Sequence, residues 1–224
     1  MTHKNEALTP LTSMRPISSI FCLVFASVAL GCSGQTFTVG GFDDAGMSPP
    51  DGGAGTSDDG GASGVIDPIA VGNTWTYDVT VAGTYPACTN GSGTSSVTQE
   101  KTLDGKDAFS VSSFCASLGS FWYSTDGDRV YQYDDASSTW LLALESPVED
   151  GRTWSNGTST FVWKKIGSLA VKAGTYDDCW EVDLQGGAQF YAVTFCRGIG
   201  PVKWHVRDSS SLNGYDAALT QKNF

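Results

Sequence analysis

Trp75-Thr76-Tyr77-Asp78-Val79-Thr80-Val81 alternates apolar and polar side chains over its whole length, and similar short runs follow it to the end of the chain. Alternation with a period of two predicts a β strand that buries one face. By the same criterion we predict further strands at residues 96–103, 108–115, 121–123, 129–133, 139–145, 158–165, 179–184, 189–197, 202–208 and 215–222.

Turn residues separate several of these runs. Asp104-Gly105-Lys106 lies between two of them, and Thr125-Asp126-Gly127-Asp128 lies between the next two. Asp and Gly are favoured in tight β turns. No segment shows a sustained helical period with caps. The predicted fold class is therefore all-β, with antiparallel strands in one curved sheet that forms either an open barrel or a sandwich.

An eight-residue motif occurs twice. Residues 68–75 and residues 147–154 both read Pro-x-x-x-Gly-x-Thr-Trp. A Pro and a Gly that turn the chain into a strand, followed by a Trp that enters the core, would explain the spacing. The repeat indicates two similar β halves within one domain.

The N-terminal region is typical of an exported protein. Arg15 precedes an apolar run at residues 17–30, which ends in Ala29-Leu30-Gly31-Cys32. Small residues before a cysteine resemble the lipobox of bacterial lipoproteins, so we predict that residues 1–31 form a signal peptide and that Cys32 carries acyl chains such as palmitate. Met14 is an alternative start.

Two other interpretations of this region remain open. An ordinary cleaved signal peptide fits the same pattern, and a membrane-spanning signal anchor is disfavoured because the apolar run is shorter than the ~20 residues of a span. Ser33, rather than Asp, follows Cys32. The predicted location is the cell envelope, lipid-anchored and at the outer membrane.

Composition divides the mature chain. Residues 33–66 are rich in Gly, Ser, Asp, Thr and Pro and contain no Lys or Arg. Such a segment buries too little apolar surface to order itself, so residues 32–66 are predicted to be a disordered tether that begins at the lipidated cysteine. Residues 67–224 are long enough for a single β domain with its own core.

Charge excludes one class of partner. The 224-residue chain carries a formal net charge of −11 at pH 7, and no basic run exceeds Lys164-Lys165. Nucleic acid and anionic lipid headgroups are bound by grouped cations, so we expect neither as a ligand. The membrane is expected as a partner through the lipid anchor alone.

Cysteine usage agrees with export. Cys22 lies in the signal peptide, which leaves Cys88, Cys115, Cys179 and Cys196 in the domain. Four cysteines in an oxidising compartment indicate two disulfides, for which three connectivities exist. Cys179 and Cys196 lie nearly opposite each other on a predicted hairpin, so we favour Cys179–Cys196 and Cys88–Cys115. A zinc site is disfavoured, because the domain has no Cys-x-x-Cys pair.

The sequence contains no recognisable catalytic arrangement. His205 is the only histidine of the domain. Side chains alternate between the two faces of a strand, so this strand parity places Asp208 on the face opposite His205, where it cannot orient the imidazole. The domain also has no Gly-x-Ser-x-Gly motif. Glu145, Glu149 and Glu181 do not stand out as an acid pair. We predict a protein that is not an enzyme and has no cofactor.

Acidic pairs raise the alternative of calcium. Asp126-Gly127-Asp128, Asp134-Asp135 and Asp177-Asp178 supply oxygen ligands, but none has the spacing of an EF-hand loop. Turn chemistry explains these residues more simply. We therefore predict no metal site.

Aromatic residues are the remaining indication of a binding site. Strand parity places Trp163, Trp180 and Trp204 in the core. Trp122, Tyr131 and Tyr133 instead suggest a hairpin with large apolar groups on both faces. A second apolar face must be shielded from water, either by another sheet or by a ligand.

Two functions fit this aromatic hairpin. The first is a non-enzymatic envelope domain that binds or scaffolds another envelope protein through a sheet face. The alternative is a carrier that binds a lipid-like hydrophobic ligand or a glycan in a curved β cradle, with Trp122, Tyr131 and Tyr133 as candidate ligand contacts.

Short motifs at both ends of the domain resemble a broad group of bacterial exported proteins and lipoproteins. The group begins with Val-Gly-Asn-x-Trp-x-Tyr and closes with an aromatic hairpin that runs into Gly-Val-Gly-x-Val. Here the matching residues are 71–77, Tyr191 and 198–202, with Ile199 in place of the group's Val. The resemblance implies an all-β exported domain, and it implies no activity or site.

Overall fold

A computed structural model describes residues 64–157 and 159–224. The predicted signal peptide, Cys32 and most of the predicted tether lie outside the described residues. No helix within the described ranges is long and apolar enough to cross a membrane.

The described chain is built almost entirely of antiparallel strands, which confirms the predicted all-β class. A single 3-10 turn at Ala116–Leu118 is the helical element of these residues. The strands are β1 (Thr74–Ala82), β2 (Gly91–Leu103), β3 (Lys106–Ser112), β4 (Ser120–Asp126), β5 (Arg129–Asp134), β6 (Thr139–Leu144), β7 (Thr153–Asn156), β8 (Ser159–Val171), β9 (Gly174–Gln185), β10 (Gln189–Cys196), β11 (Gly200–Asp208) and β12 (Gly214–Lys222).

All twelve strands belong to one sheet, in the order β6-β5-β4-β3-β2-β1-β12-β11-β10-β9-β8-β7. Sequence neighbours are therefore sheet neighbours except at one place, where β6 and β7 are the two edges. These edges lie next to each other, and the Asn156 Nδ2 atom donates to the Leu142 carbonyl at 3.3 Å across the gap. Of the two predicted arrangements, the structure is the barrel, nearly closed along this β6–β7 seam.

Two hydrophobic cores occupy the barrel. One forms around β1, β11 and β12, with Trp75, Tyr77 and Tyr215 almost fully buried. The other forms around β7–β10 and includes Trp163 and Phe195. Core burial of Trp163 and Trp180 matches the parity prediction, whereas Trp204 is only partly buried and packs against both cores.

The repeated motif forms the same turn twice. The Gly72 N–H donates to the Val97 carbonyl of β2 at 2.9 Å, and the Gly151 N–H donates to the Trp163 carbonyl of β8 at 2.8 Å. Gly72 and Gly151 have φ values of 95° and 78°, a region that favours glycine. The motif thus begins the first strand of each six-stranded half of the sheet, β1 and β7.

Strand limits differ from the predictions where pairing overrides local propensity. β2 starts at Gly91, well before the predicted residue 96, because Gly93 pairs with Tyr77 of β1. A Cβ at Gly93 would lie 2.4 Å from the Phe114 carbonyl oxygen, so only glycine fits there. β7 was not predicted as a strand, since its four residues are too few for a periodic signal.

Both disulfides are present in the structure. Cys179 and Cys196 face each other in the β9–β10 ladder, and Cys88 joins Cys115 across the loops that follow β1 and β3. All four residues are buried in the first core. In the chain-entropy model, loops of these lengths give about 3 kcal/mol of stabilisation each.

The segment before β1 binds one end of the barrel. Ile66 is fully buried, its N–H donates to Asp128 Oδ1 at 2.8 Å, and the Gly198 N–H donates to the Val65 carbonyl at 2.8 Å. Residues 64–66, which composition assigns to the tether, are therefore part of the packed structure.

Candidate functional site

A cavity of about 120 Å³ lies between the two cores. Its wall is mainly aromatic and aliphatic and takes residues from both halves of the sheet. Its aromatic residues include Trp75, Tyr77, Phe121, Tyr123, Tyr191 and Trp204.

Strand alternation explains why these residues reach the lumen. Phe121 and Tyr123 of β4 line the cavity, as do Val130 and Gln132 of β5, whereas the residues between them do not. Successive side chains of a strand point to opposite faces of a sheet. The lumen-facing set on this hairpin is therefore the one that sequence reasoning missed.

Contacts between rings hold the cavity wall in place. The Phe114 ring centroid lies 4.7 Å from that of Tyr77 and 5.5 Å from that of Trp204. Tyr191 meets Trp204 edge to face at 6.4 Å. Aromatic rings prefer such tilted geometries, so favourable ring contacts stabilise the wall.

Asp67 is the only acidic residue among the described residues that line this cavity. Its carboxylate accepts no hydrogen bond from residues 64–157 or 159–224, and burial raises the pKa of Asp67 to about 7. A Cβ built on Gly200 would lie 2.8 Å from Asp67 Oδ1, which shows how closely the β11 backbone approaches the carboxylate. Sequence reasoning missed this residue, because an Asp before a Pro at the end of a polar tether looks like a linker.

The lining has other polar groups, namely the tyrosine hydroxyls and the side chains of Ser95, Ser112, Ser113 and Gln132. The Tyr77 hydroxyl donates to the Pro201 carbonyl at 2.8 Å. Burial raises the pKa of Tyr77, Tyr123 and Tyr191 well above the usual range, and the charge of Asp67 adds to the rise at Tyr77 and Tyr123. These hydroxyls therefore stay protonated and remain hydrogen-bond donors.

The three predicted ligand residues lie outside the cavity lining. We refer to Trp122, Tyr131 and Tyr133 as the outer aromatic row. Lys101 Nζ lies 3.8 Å from the centre of the Trp122 ring, and Lys106 Nζ lies 4.4 Å from that of Tyr131.

Tyr133 completes the outer aromatic row. It packs edge to face on Trp140 of β6 at 5.1 Å. The second apolar face of this hairpin thus points away from the lumen, and lysine side chains and a neighbouring Trp pack against it.

His205 is half-exposed, and it has a partner that the sequence did not reveal. His205 Nδ1 lies 2.7 Å from Asp216 Oδ1, directly opposite on β12, and Arg207 also pairs with this carboxylate. Burial raises the pKa of Asp216, but hydrogen bonds from His205 and Arg207 outweigh it and hold the pKa below its usual value. Asp208 has a separate role, because it accepts hydrogen bonds from the Ser210–Ser211 turn.

The acidic pairs considered for calcium are used in other contacts. Arg197 Nε donates to Asp178 Oδ2 at 2.9 Å, and Arg197 also binds Asp128. Asp134 accepts from the Ala136 and Ser137 N–H groups in a tight turn. Within residues 64–157 and 159–224, no group of three His, Cys, Asp or Glu side chains is arranged to hold a metal ion.

The three glutamates considered as an acid pair lie outside the cavity. Glu145 accepts from Arg129 Nε at 2.8 Å, while Glu149 lies 4.0 Å from Arg152 in the same turn. Glu181 is on β9. None of the three lines the cavity.

Comparison with known proteins gives distant structural matches only. No family model and no curated protein matches the chain. A predicted exported protein with a YmcC-like fold from Bacteroides fragilis matches 72% of this chain and 100% of its own, with 9% identity and a TM-score of 0.41. A predicted lipoprotein from Parabacteroides distasonis matches 71% of this chain and 99% of its own, with 8% identity and a TM-score of 0.40. Likeness at this level gives no information about function.

Proposed function

We propose that this protein is a non-enzymatic binding protein of the cell envelope, anchored through Cys32, whose barrel lumen holds a small and largely apolar ligand. The observation that carries the proposal is the aromatic cavity of about 120 Å³ between the two cores. Protein interiors are close-packed, and voids larger than a water molecule are few. A cavity of this size inside a disulfide-linked barrel is therefore an uncommon feature, and a bound ligand would account for it.

The cavity has the size for a small organic group. An apolar cavity of about 150 Å³ takes up benzene, and a water molecule has a share of about 30 Å³ in the liquid. The cavity therefore corresponds to about four waters or one small organic molecule. Its aromatic lining favours the organic molecule, because most of the wall offers no hydrogen-bond partners to water.

The chemistry of the lumen supports binding rather than catalysis. Among the described residues that line the cavity there is no histidine, cysteine or lysine. The His205–Asp216 pair is half-exposed and lies outside this lining. Asp67 is left as a lone acid, and general acid–base chemistry on a glycosidic bond needs two positioned carboxyl groups.

The proposal includes the anchor, the tether and the outer membrane as the site of action. The lipobox-like Ala29-Leu30-Gly31-Cys32 and the Ser at position 33 support this part. An acyl anchor contributes about 0.8 kcal/mol per buried CH₂ to membrane binding. The tether would then present the barrel at the membrane surface.

Native mass spectrometry of the full protein, purified from its own membrane, tests the proposal. We expect a bound small molecule on the wild type, loss of this mass in Val111→Phe, which fills the lumen, and retention in Trp122→Ala, which changes only the outer aromatic row. The opposite pattern, with loss in Trp122→Ala and retention in Val111→Phe, would move the binding site to the outer face of the sheet. A wild type with no bound mass would favour the scaffold function.

A further inference from the structure

Asp67 is held in position by its neighbours in the chain. Ile66 is buried in the second core with its N–H bound to Asp128, and the Ile69 N–H donates to the Asp67 carbonyl at 2.9 Å. The backbone is therefore fixed on both sides of Asp67. The carboxylate lines the cavity because of these contacts and not because of a salt bridge of its own.

No cation of the described chain compensates this carboxylate. Arg197 donates to the Gly64 carbonyl, three residues before Asp67, but its guanidinium is already paired with Asp128 and Asp178. No Lys or Arg lines the cavity within the described residues. Asp67 is partly buried, and removing a carboxylate from water without giving it a partner is costly.

The aromatic wall has the complementary property. Trp75, Tyr123 and Trp204 present ring systems to the same space as Asp67. The face of an aromatic ring attracts cations, and the attraction strengthens where water is excluded. A positive group in the lumen would satisfy both the carboxylate and the rings, whereas an anion would be repelled by Asp67.

We infer that the ligand of the lumen carries a protonated amine or another small organic ammonium group, bound by the Asp67 carboxylate and the surrounding aromatic rings. This inference rests on the proposed function and names the chemical class of its ligand. The apolar remainder of the ligand would contact Val111, Val130 and Phe161, which also line the cavity. Asp67 is then the residue that selects among ligands of similar size.

NMR titration of the full barrel with n-butylammonium tests the inference, with the neutral 1-butanol and the anionic butyrate as probes of similar size. The indole N–H signals of Trp75 and Trp204 report on the lumen, and that of Trp122 reports on the outer face. For the wild type we expect n-butylammonium to shift the two lumen signals and to bind at least tenfold more tightly than 1-butanol. Butyrate should not bind.

Two variants separate the contribution of Asp67 from general effects. In Asp67→Asn the preference for n-butylammonium over 1-butanol should disappear while 1-butanol still binds, which also shows that the lumen is intact. Asp78→Asn makes the same charge change on the exposed face of β1 and should leave the preference unchanged. For the wild type the affinity for n-butylammonium should rise about tenfold from pH 6 to pH 8 as Asp67 loses its proton.

The outcomes distinguish failure of this inference from failure of the proposed function. If 1-butanol binds in the lumen equally or better than n-butylammonium in both the wild type and Asp67→Asn, the lumen is a binding site but the cationic ligand class is wrong. If none of the three probes shifts the Trp75 or Trp204 signals, the lumen is not accessible and the proposed function fails as well.

Discussion

Arg197 Nη1 lies 2.9 Å from Oδ1 and 2.8 Å from Oδ2 of Asp128, which joins two turns that are 69 residues apart in the sequence. The β10–β11 turn carries Arg197 and the β4–β5 turn carries Asp128, so the pair connects the two six-stranded halves of the sheet across one end of the barrel. The same Asp128 holds the Ile66 N–H, which places Asp67 in the lumen. The ion pair therefore supports the cavity as well as the fold.

Replacing Arg197 should destabilise the barrel more than replacing an exposed cation. Arg197→Leu leaves the carboxylates of Asp128 and Asp178, only 21% and 30% exposed, without their shared partner. We expect a loss of about 2 kcal/mol in the free energy of unfolding, measured with urea. Lys164→Leu removes an exposed pair with Asp183 and should cost less than about 1 kcal/mol. Equal losses would show that Arg197 has no special structural role.

Asp67 should make stability fall as pH rises. Its pKa is raised to about 7 in the folded protein, against an ordinary value of 3.8, so the folded state binds the proton more tightly than the unfolded state. The stabilising contribution is fully present below about pH 4 and is lost as pH rises to about 7, with an upper limit of about 4 kcal/mol.

Asp67→Asn removes this titration. We expect the variant to gain stability relative to the wild type between pH 4 and pH 7.5, as measured by urea unfolding at each pH. Asp78→Asn on the exposed face of β1 is the matched control and should show no such gain. A difference between Asp67→Asn and the wild type that does not change with pH would contradict the raised pKa of this partly buried carboxyl group.

The repeated turn gives a paired prediction. Gly72 and Gly151 have positive φ values and no neighbouring atom within 4 Å of an added Cβ, so an alanine there meets only backbone strain. Gly72→Ala and Gly151→Ala should each cost about 1 kcal/mol in the free energy of unfolding. Asn tolerates positive φ, so the corresponding Asn variants should cost less. Clearly unequal costs for the two alanine variants would show that the two turns are not equivalent.

Much of the fold could be predicted from the sequence, because alternation and turn residues are local signals. The strand Trp75–Val81 and the Asp104-Gly105 turn are examples, and the structure places both as expected. The early start of β2 could not be predicted, since Gly91-Ser92-Gly93 has little strand propensity and pairs only because β1 is available beside it.

The candidate site was harder to predict than the fold. On β4, both Trp122 and Tyr123 are large aromatic residues, so parity alone does not say which face becomes the lumen. Closure of the sheet decides this, and it depends on contacts between distant strands. Asp216, the partner of His205, was missed for the same reason, because the β11–β12 register is not encoded in either strand alone.

Membrane attachment should depend on Cys32 and not on Cys22. Cys32→Ala removes the proposed acylation site, and we expect the protein to appear in the soluble envelope fraction after cell fractionation, because no acyl chain remains to enter the bilayer. Cys22→Ala changes a cysteine of the signal peptide and should leave the mature protein membrane-bound. If Cys32→Ala stayed fully membrane-bound, the predicted lipid anchor at Cys32 would be wrong.

The occupant of the lumen should be visible in a crystal structure of the full protein purified from its own membrane. We predict non-protein electron density inside the barrel, in contact with the Asp67 carboxylate and with the rings of Tyr123 and Trp204. Density confined to the outer aromatic row of Trp122, Tyr131 and Tyr133, with the lumen closed by side chains, would contradict a ligand-binding lumen.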